Sequence, residues 1–510
     1  MPSSSPTSFS SNILVYLQCY FVTIAYTLGT GILGLPVSLA RAGLTPLLLM
    51  LTICLLTQII SIIFVTDALQ KLVYIQLHGE PVEDNSKKDV KESYDRIPLA
   101  ESSVTDESCF SDVDSAEERS LFSKTESSSD EMPAVNIFIL AKVFLPRVLS
   151  YACTMNFLFF FSVAGISYAL AGSQAYAEVF HINSALTVTP FFCWLLNLLA
   201  VFGRKLVSPL VSVLTLFKGS LLLVAAIIAF VVGTTVHDRI SNDFRYAGDT
   251  FMLVTVAVGG TYLTLPFLFT KIKYVEHEIR YLRISTTFGL ITVYILEILW
   301  CWATLDVVPQ IDPCSVSLSQ TNNGTYCLPP DYTLQSAAEN GEISTIPFTK
   351  VINSLYPQYS WVATIISLFI MVSITVSYLF NSTILCHTVE GVITSWWKES
   401  WNKCDFMEIK CQNVTSSLAN IVFLSVIFIV AMFNPKSFLQ VVEKLMSFGL
   451  NFGLGFFISF IVWRCTSKKY RDLDVPLPLS KVQIHLQYIV IVFFMTASIY
   501  DIVVWISESV

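Results

Sequence analysis

The sequence predicts an all-α polytopic membrane protein with about eleven transmembrane helices. Of its 510 residues 54% are apolar and only 13% are charged, with a mean hydropathy of +0.64. A soluble protein uses about twice that charge to cover its surface. Eleven apolar runs reach or approach the ~20 residues that a helix needs to cross a bilayer. Two of these runs carry matching glycine-led interruptions, five helices apart. The composition excludes a soluble multidomain enzyme and a secreted disulfide scaffold. A formal charge of −8 excludes a nucleic-acid partner, which requires a basic footprint.

In chain order the runs are 12–40, 44–75, 149–175, 185–202, 207–233, 251–269, 285–308, 361–387, 418–433, 438–462 and 486–506. The first two exceed what a bilayer needs, so they are tilted, broken or extended into the interface. The ninth is short. Residues 1–11 read as a cytosolic tail, 12–78 as helices one and two, and 134–510 as helices three to eleven with an external loop at 309–356. The first basic residue is Arg41, so the basic region of a signal peptide is missing and none is expected. Orientation follows from Lys and Arg. With the N-terminus inside, the inner side holds 24 of the 30, and six fall outside: Arg41, Arg239, Arg245, Lys350, Lys436 and Lys444.

Residues 80–131 hold 16 acidic and 6 basic residues, so the acidity of the chain belongs to one segment. Rich in Ser and Thr and poor in aromatics, 79–133 cannot bury enough apolar area to order itself and reads as a disordered cytosolic loop. Tyr94-Asp95-Arg96-Ile97 in it has the Tyr-x-x-apolar form read by clathrin adaptors. Ser111, Ser115, Ser127 and Ser128 each precede an acidic residue by three positions, which suits acidophilic kinases. The solvated linker is the plainer alternative. Of 12 cysteines most lie inside apolar runs as small buried hydrophobes. Cys314 and Cys327 instead flank the sequon at Asn323 in one polar loop. A disulfide and an N-glycan there both require the external side, in agreement with the charge count.

The interruptions are GTGILGLP at 29–36 in helix one and GGTYLTLP at 259–266 in helix six. Glycine costs a helix about 1 kcal/mol relative to alanine and proline about 3, so clustered they let it unwind. Unwound backbone at membrane depth is tolerated only where protein or a wet cavity satisfies it. Half-helix N-termini then offer N–H groups to a carboxylate, and the opposing ends offer carbonyls to an ammonium or a cation. Paired breaks in corresponding helices of two halves mark a transport site. Gly29, Thr30, Gly31, Ile32, Gly34, Gly259, Gly260, Thr261 and Tyr262 are the expected substrate site, with Ile32 and Tyr262 shaping its side-chain pocket. The alternative is glycine and proline used only for close helix packing.

GTGILGLP followed by Ala42-Gly43 and a long second helix resembles the start of the amino acid/auxin permease family, within the amino acid–polyamine–organocation superfamily. Helix ten, from Asn434-Pro435 through Asn451, is similar to the tenth helix of that family. A branch with an acidic, Ser-rich loop after helix two is the nearest in layout. The resemblance implies a leucine-transporter-type 5+5 inverted repeat with broken helices one and six. It also implies a secondary transporter of a small amino acid, driven by H+ or Na+, in an endosomal, lysosomal or plasma membrane. Helix six departs from the family pattern, since Thr261, Tyr262 and Thr264 stand where many relatives have other polar residues or His.

Lys218 lies near the middle of helix five, where an ionisable group costs at least ~2.5 kcal/mol. In some relatives a helix-five lysine takes the place of sodium between helices one and eight, which implies proton coupling here. A lysine capping broken-helix carbonyls is the alternative. Ser373, Ser377 and Asn381 share one face of helix eight, whose hydroxyls help hold the coupling ion in the superfamily; interhelical glue is the other reading. Glu297 in helix seven is a candidate to carry protons, to pair with Lys218 or to tie two helices. Tyr168 in helix three is placed to close the site from the side, or is a core tyrosine. None of the six histidines pairs into a metal site, and no P-loop, dinucleotide or intramembrane-protease motif is present. No cofactor, metal or enzymatic activity is therefore expected.

Overall fold

In a computed structural model the described residues are 6–29, 31–79, 135–236, 240–311, 332–400, 406–433 and 438–509. They are helical throughout, with no strand among them. Ten helical stretches are long and apolar enough to span a membrane. The eleventh expected span, the first, is split into α1 (Pro6–Thr27) and α2 (Gly31–Ala42), neither of which crosses alone. Helix α1 begins six residues before the expected first run at 12; proline at its first position is pre-set for helical φ and lacks only an N–H that would be unsatisfied anyway.

Helix α3 (Leu44–His78) runs about 50 Å at 1.5 Å per residue, well beyond a ~30 Å hydrocarbon core. Near its C-terminal end Lys71 pairs with Asp67 at 2.7 Å and donates to the Cys465 carbonyl at 2.9 Å. The turn into α3 requires glycine: Gly43 has φ 79°, and a Cβ there would strike the Ser241 carbonyl. Asn242 accepts from Thr45 N at 2.8 Å and Asp243 N donates to the Ala42 carbonyl at 2.9 Å, tying the turn to the entry of helix six.

The chain continues through α4 (Ile137–Phe144), α5 (Arg147–Val179), α6 (Ala185–Phe202) and α7 (Arg204–Val236). The broken sixth span is α8 (Ala247–Gly259) and α9 (Thr261–Phe269), followed by α10 (Glu276–Val307). The expected external loop is in part helical, with α11 (Leu334–Asn340) and α12 (Thr345–Leu355). Phe348, Val351 and Ile352 form an apolar helical face, buried to 1% exposure or less, which a solvated loop would not provide. Then come α13 (Ser360–Ser400), α14 (Phe406–Met432) and α15 (Phe438–Phe452). A π-helical stretch, Gly453–Ile458, leads into α16 (Ser459–Cys465), followed by α17 (Lys468–Arg471) and α18 (Lys481–Ser509).

Packing repeats with a five-helix period. Helix α3 packs on α8 as α10 packs on α1, and α5 packs on α15 as α13 packs on α7. Helix α7 crosses α1 as α15 crosses α8, while α2 meets α8 and α1 meets α9. An odd period reverses direction through the membrane, so the halves form an inverted repeat with the two broken helices at its centre. The apolar stretch through α8 and α9 is 78% buried, against 28% for α14 and for α18. On α14 the exposed side chains Val414, Leu418, Val422, Val426 and Ile429 make a continuous apolar stripe, a surface suited to lipid and not to water.

Candidate functional site

The two breaks meet at the centre of the protein and differ in width. Helix α1 stops at Thr27 and α2 resumes at Gly31, whereas α8 and α9 are separated by Gly260 alone, whose backbone stays near helical at φ −75°, ψ −6°. The glycines are there because aromatic rings lie against them. A Cβ on Gly29 would overlap the Tyr168 hydroxyl, and one on Gly260 would overlap the Tyr26 ring. Gly31 faces Ala257 of α8, and a Cβ there would also stand 3.3 Å from Glu297 Oε1. Across the gap Thr27 Oγ1 and Thr261 Oγ1 approach to 3.5 Å.

Between the breaks lies a cavity of about 20 Å³, room for a water molecule. Tyr26, Thr27, Gly31, Tyr168, Gly260 and Asn381 give it a polar or backbone lining, and Phe160, Ala164, Val256 and Met446 complete it. Asn381 is fixed by donating to the Phe161 carbonyl at 2.9 Å. The sequence had not singled out Tyr26 and Thr27; both lie within one turn of Gly29, so the break itself was the signal.

The cavity draws together Gly31, Gly260 and Tyr168 of the expected residues, with Gly29 and Thr261 at its edge. Gly259 lies behind it, against Leu450 and Gln58, and Gly34 sits within α2. Tyr262 does not shape the pocket. Its ring turns toward α5, 6.2 Å from Phe157, and is 1% exposed, because α9 restarts immediately after Gly260 and rotates this position outward. Thr30 and the Ile32 side chain lie outside the described residues, as do Cys314, Cys327, Asn323, Tyr94, Ile97 and the four candidate phosphoserines.

Lys218 is fully buried. Its Nζ donates to the Ala25 carbonyl and to Ser377 Oγ, both at 2.9 Å. Ala25 lies in the last turn of α1, whose carbonyls have no helical partner once the helix stops. The ammonium thus caps the C-terminal end of the half-helix and ties it to α13, where the end of the helix dipole is negative. Ser373, one turn before Ser377, is buried with its hydroxyl unpartnered among the described residues. Glu297 is likewise buried with neither carboxylate oxygen bonded. Its Oε1 lies near Gly31, and the described contacts of Lys218 run instead to Ala25 and Ser377.

No family model matches this chain, and no curated protein matches it in sequence. Among solved structures it is similar to the manganese transporter of Eremococcus coleocola in complex with an aromatic bis-isothiourea substituted compound. The TM-score is 0.54 at 9% identity, covering 98% of this chain and 88% of that one. A point mutant of that transporter gives TM-score 0.54 at 9% identity, covering 99% and 88%. At that identity the likeness speaks to fold alone: this is a multi-pass membrane protein with the helical fold of a membrane transporter.

Proposed function

We propose that the protein is a secondary active transporter of small neutral amino acids, coupled to protons in preference to sodium, and a member of the amino acid/auxin permease family. The observation that carries this reading is the meeting of two uncharged helix breaks around one cavity. Neither octapeptide contains Asp, Glu, His, Cys or Met. A divalent metal favours carboxylate, imidazole or sulfur donors, whereas these breaks offer N–H groups at the starts of α2 and α9 and carbonyls at the ends of α1 and α8. Those are the complements of a carboxylate and an ammonium held on one molecule.

The cavity takes water and no amino acid as it stands, so loading requires the breaks to part. Rocking α1 to α3 and α8 to α10 against the remaining helices supplies that motion. Lys218 supports proton coupling because it is a buried ionisable group bonded to the Ala25 carbonyl of α1 and to Ser377 of α13, so gain or loss of its proton would alter its hold on both helices. A second reading, an amino-acid sensor signalling through the acidic 79–133 segment with little flux, rests on the length and charge of that segment. The test is uptake of a radiolabelled amino-acid mixture into proteoliposomes under an imposed pH gradient, under a sodium gradient, and with Mn²⁺ as rival cargo. Amino-acid accumulation driven by the pH gradient is expected. Accumulation of Mn²⁺ alone would overturn the substrate assignment, and silence in every arm with folded protein would favour the sensor.

A further inference from the structure

Asp501 is 2% exposed within the membrane-spanning helix α18. Its Oδ1 accepts from Ser447 Oγ and its Oδ2 from Asn451 Nδ2, each at 2.9 Å. The Asn451 amide nitrogen also lies 3.0 Å from Thr255 Oγ1 and 3.1 Å from Ser447 Oγ, three oxygens for two N–H hydrogens. Asn451 Oδ1, on a side chain with 0% exposure, has no partner among the described residues. Ser447 Oγ reaches the Met252 carbonyl at 3.5 Å. The hydroxyl of Ser447 and the amide of Asn451, both on α15, thus meet the α18 carboxylate, and Thr255 of α8 is linked to it through Asn451.

Among the described residues no Lys, Arg or His contacts that carboxylate. The other charged or titratable residues on the elements around it are Lys481, His485, Tyr488, Tyr500 and Glu508 on α18, Asp249 on α8, Glu443 and Lys444 on α15, Arg464 and Cys465 on α16, and Cys54, Tyr74, His78, Asp67 and Lys71 on α3, the last two paired with each other. A carboxylate without a counter-charge at this burial is costly, and two neutral donors do not offset the lost hydration.

We propose that Asp501, Ser447, Asn451 and Thr255 form the binding site of an exchangeable monovalent cation. The shared chemistry is a hard cation on a carboxylate ringed by neutral oxygens, and the experiment separates a proton from sodium. The site rests on the reading of coupled transport and gives its cation a place. Thr255 stands one turn before Gly259, so occupancy bears directly on the half-helix that leads into the second break. Superimposing the octapeptides puts Thr255 where Ala25 stands in helix one. At Ala25 the first repeat supplies its own cation, Lys218; at Thr255 the second repeat is linked through Asn451 to a carboxylate on the last helix that takes its cation from solution.

The test is infrared difference spectroscopy on the purified full chain in lipid, comparing wild type with Asp501→Asn across pH in potassium buffer and then with sodium added. The proton arm expects a protonated-carboxyl band that titrates in wild type and vanishes in the variant. The sodium arm expects carboxylate bands that respond to sodium and not potassium, again only in wild type. Identical spectra for the two proteins under all conditions would overturn the site. Ser447→Ala keeps the carboxyl and removes one donor, and is expected to move the midpoint of the same signal by about tenfold in cation concentration; an unmoved midpoint also counts against it. The spectra do not depend on uptake, so loss of the transport reading and loss of this site are seen separately.

Discussion

The breaks in helices one and six have nearly the same sequence and unwind to different extents. Residues 28 and 29 leave the helix in the first, while Gly260 alone interrupts the second. The difference lies in what caps the opened end. Lys218 reaches across from α7 and holds the Ala25 carbonyl, so α1 can stop early with its terminal charge compensated. Among the described residues no charged side chain performs that service for α8, whose neighbour α15 brings Asn451 to a threonine side chain instead, and α9 restarts at once. Glycine permits a break; the neighbouring helix decides how far it opens.

The comparison is broken most severely by filling either gap. Gly31→Leu drives a side chain into Ala257 and Glu297, and Gly260→Leu drives one into the Tyr26 ring. Each is expected to lower amino-acid uptake by about a hundredfold, the upper end of what overpacking costs, with insertion retained. Gly219→Ala is the control, since a Cβ there meets nothing within 4 Å and uptake should persist. Equal uptake by Gly31→Leu and wild type would remove the first break from the site.

Next in size is Lys218→Met, which strands the Ala25 carbonyl and Ser377 Oγ. Loss of a charged hydrogen bond is worth about 1.5–3 kcal/mol, so a lower unfolding temperature is expected together with uptake that no longer follows the pH gradient. Should the pH dependence survive while stability falls, the lysine is a cap and nothing more. The smallest effect sharpens the comparison. Tyr168→Phe removes the hydroxyl over Gly29 and Tyr26→Phe alters the ring over Gly260; each is expected to change apparent affinity by a few-fold, about 1 kcal/mol or less. The larger change should come from Tyr168, since the overlap at Gly29 is with its hydroxyl while that at Gly260 is with the Tyr26 ring itself.

Much of the architecture was legible because the bilayer imposes it. A helix must be apolar over about 20 residues to cross, so counting runs located every span, including the short ninth one that proves to be the end of a longer helix, α14. The helical part of the outer loop was missed because α11 and α12 are too short to register as spans. Gly43 was read only as part of a motif, and its positive φ and the Ser241 contact give the reason for it. Tyr262 was misassigned because its orientation depends on the width of the break, which the octapeptide does not encode. Asp501 was passed over entirely: one acid near the end of a last, peripheral helix carries no local pattern that separates it from an interfacial charge.

The sequence by itself determined that the chain spans a membrane and which helices are interrupted. These follow from transfer free energies and backbone propensities that act residue by residue. Only the tertiary structure decided which side chains meet: Lys218 with Ala25 and Ser377, Tyr168 over Gly29, and Asp501 with Ser447 and Asn451. Those partners lie 50 to 193 residues apart wherever they are not on the same turn of chain. What joins them is packing between helices distant in sequence: within the first half for Lys218 with Ala25 and Tyr168 with Gly29, between halves for Lys218 with Ser377, and against the last helix for Asp501. That is a property of the assembled bundle that no single segment carries.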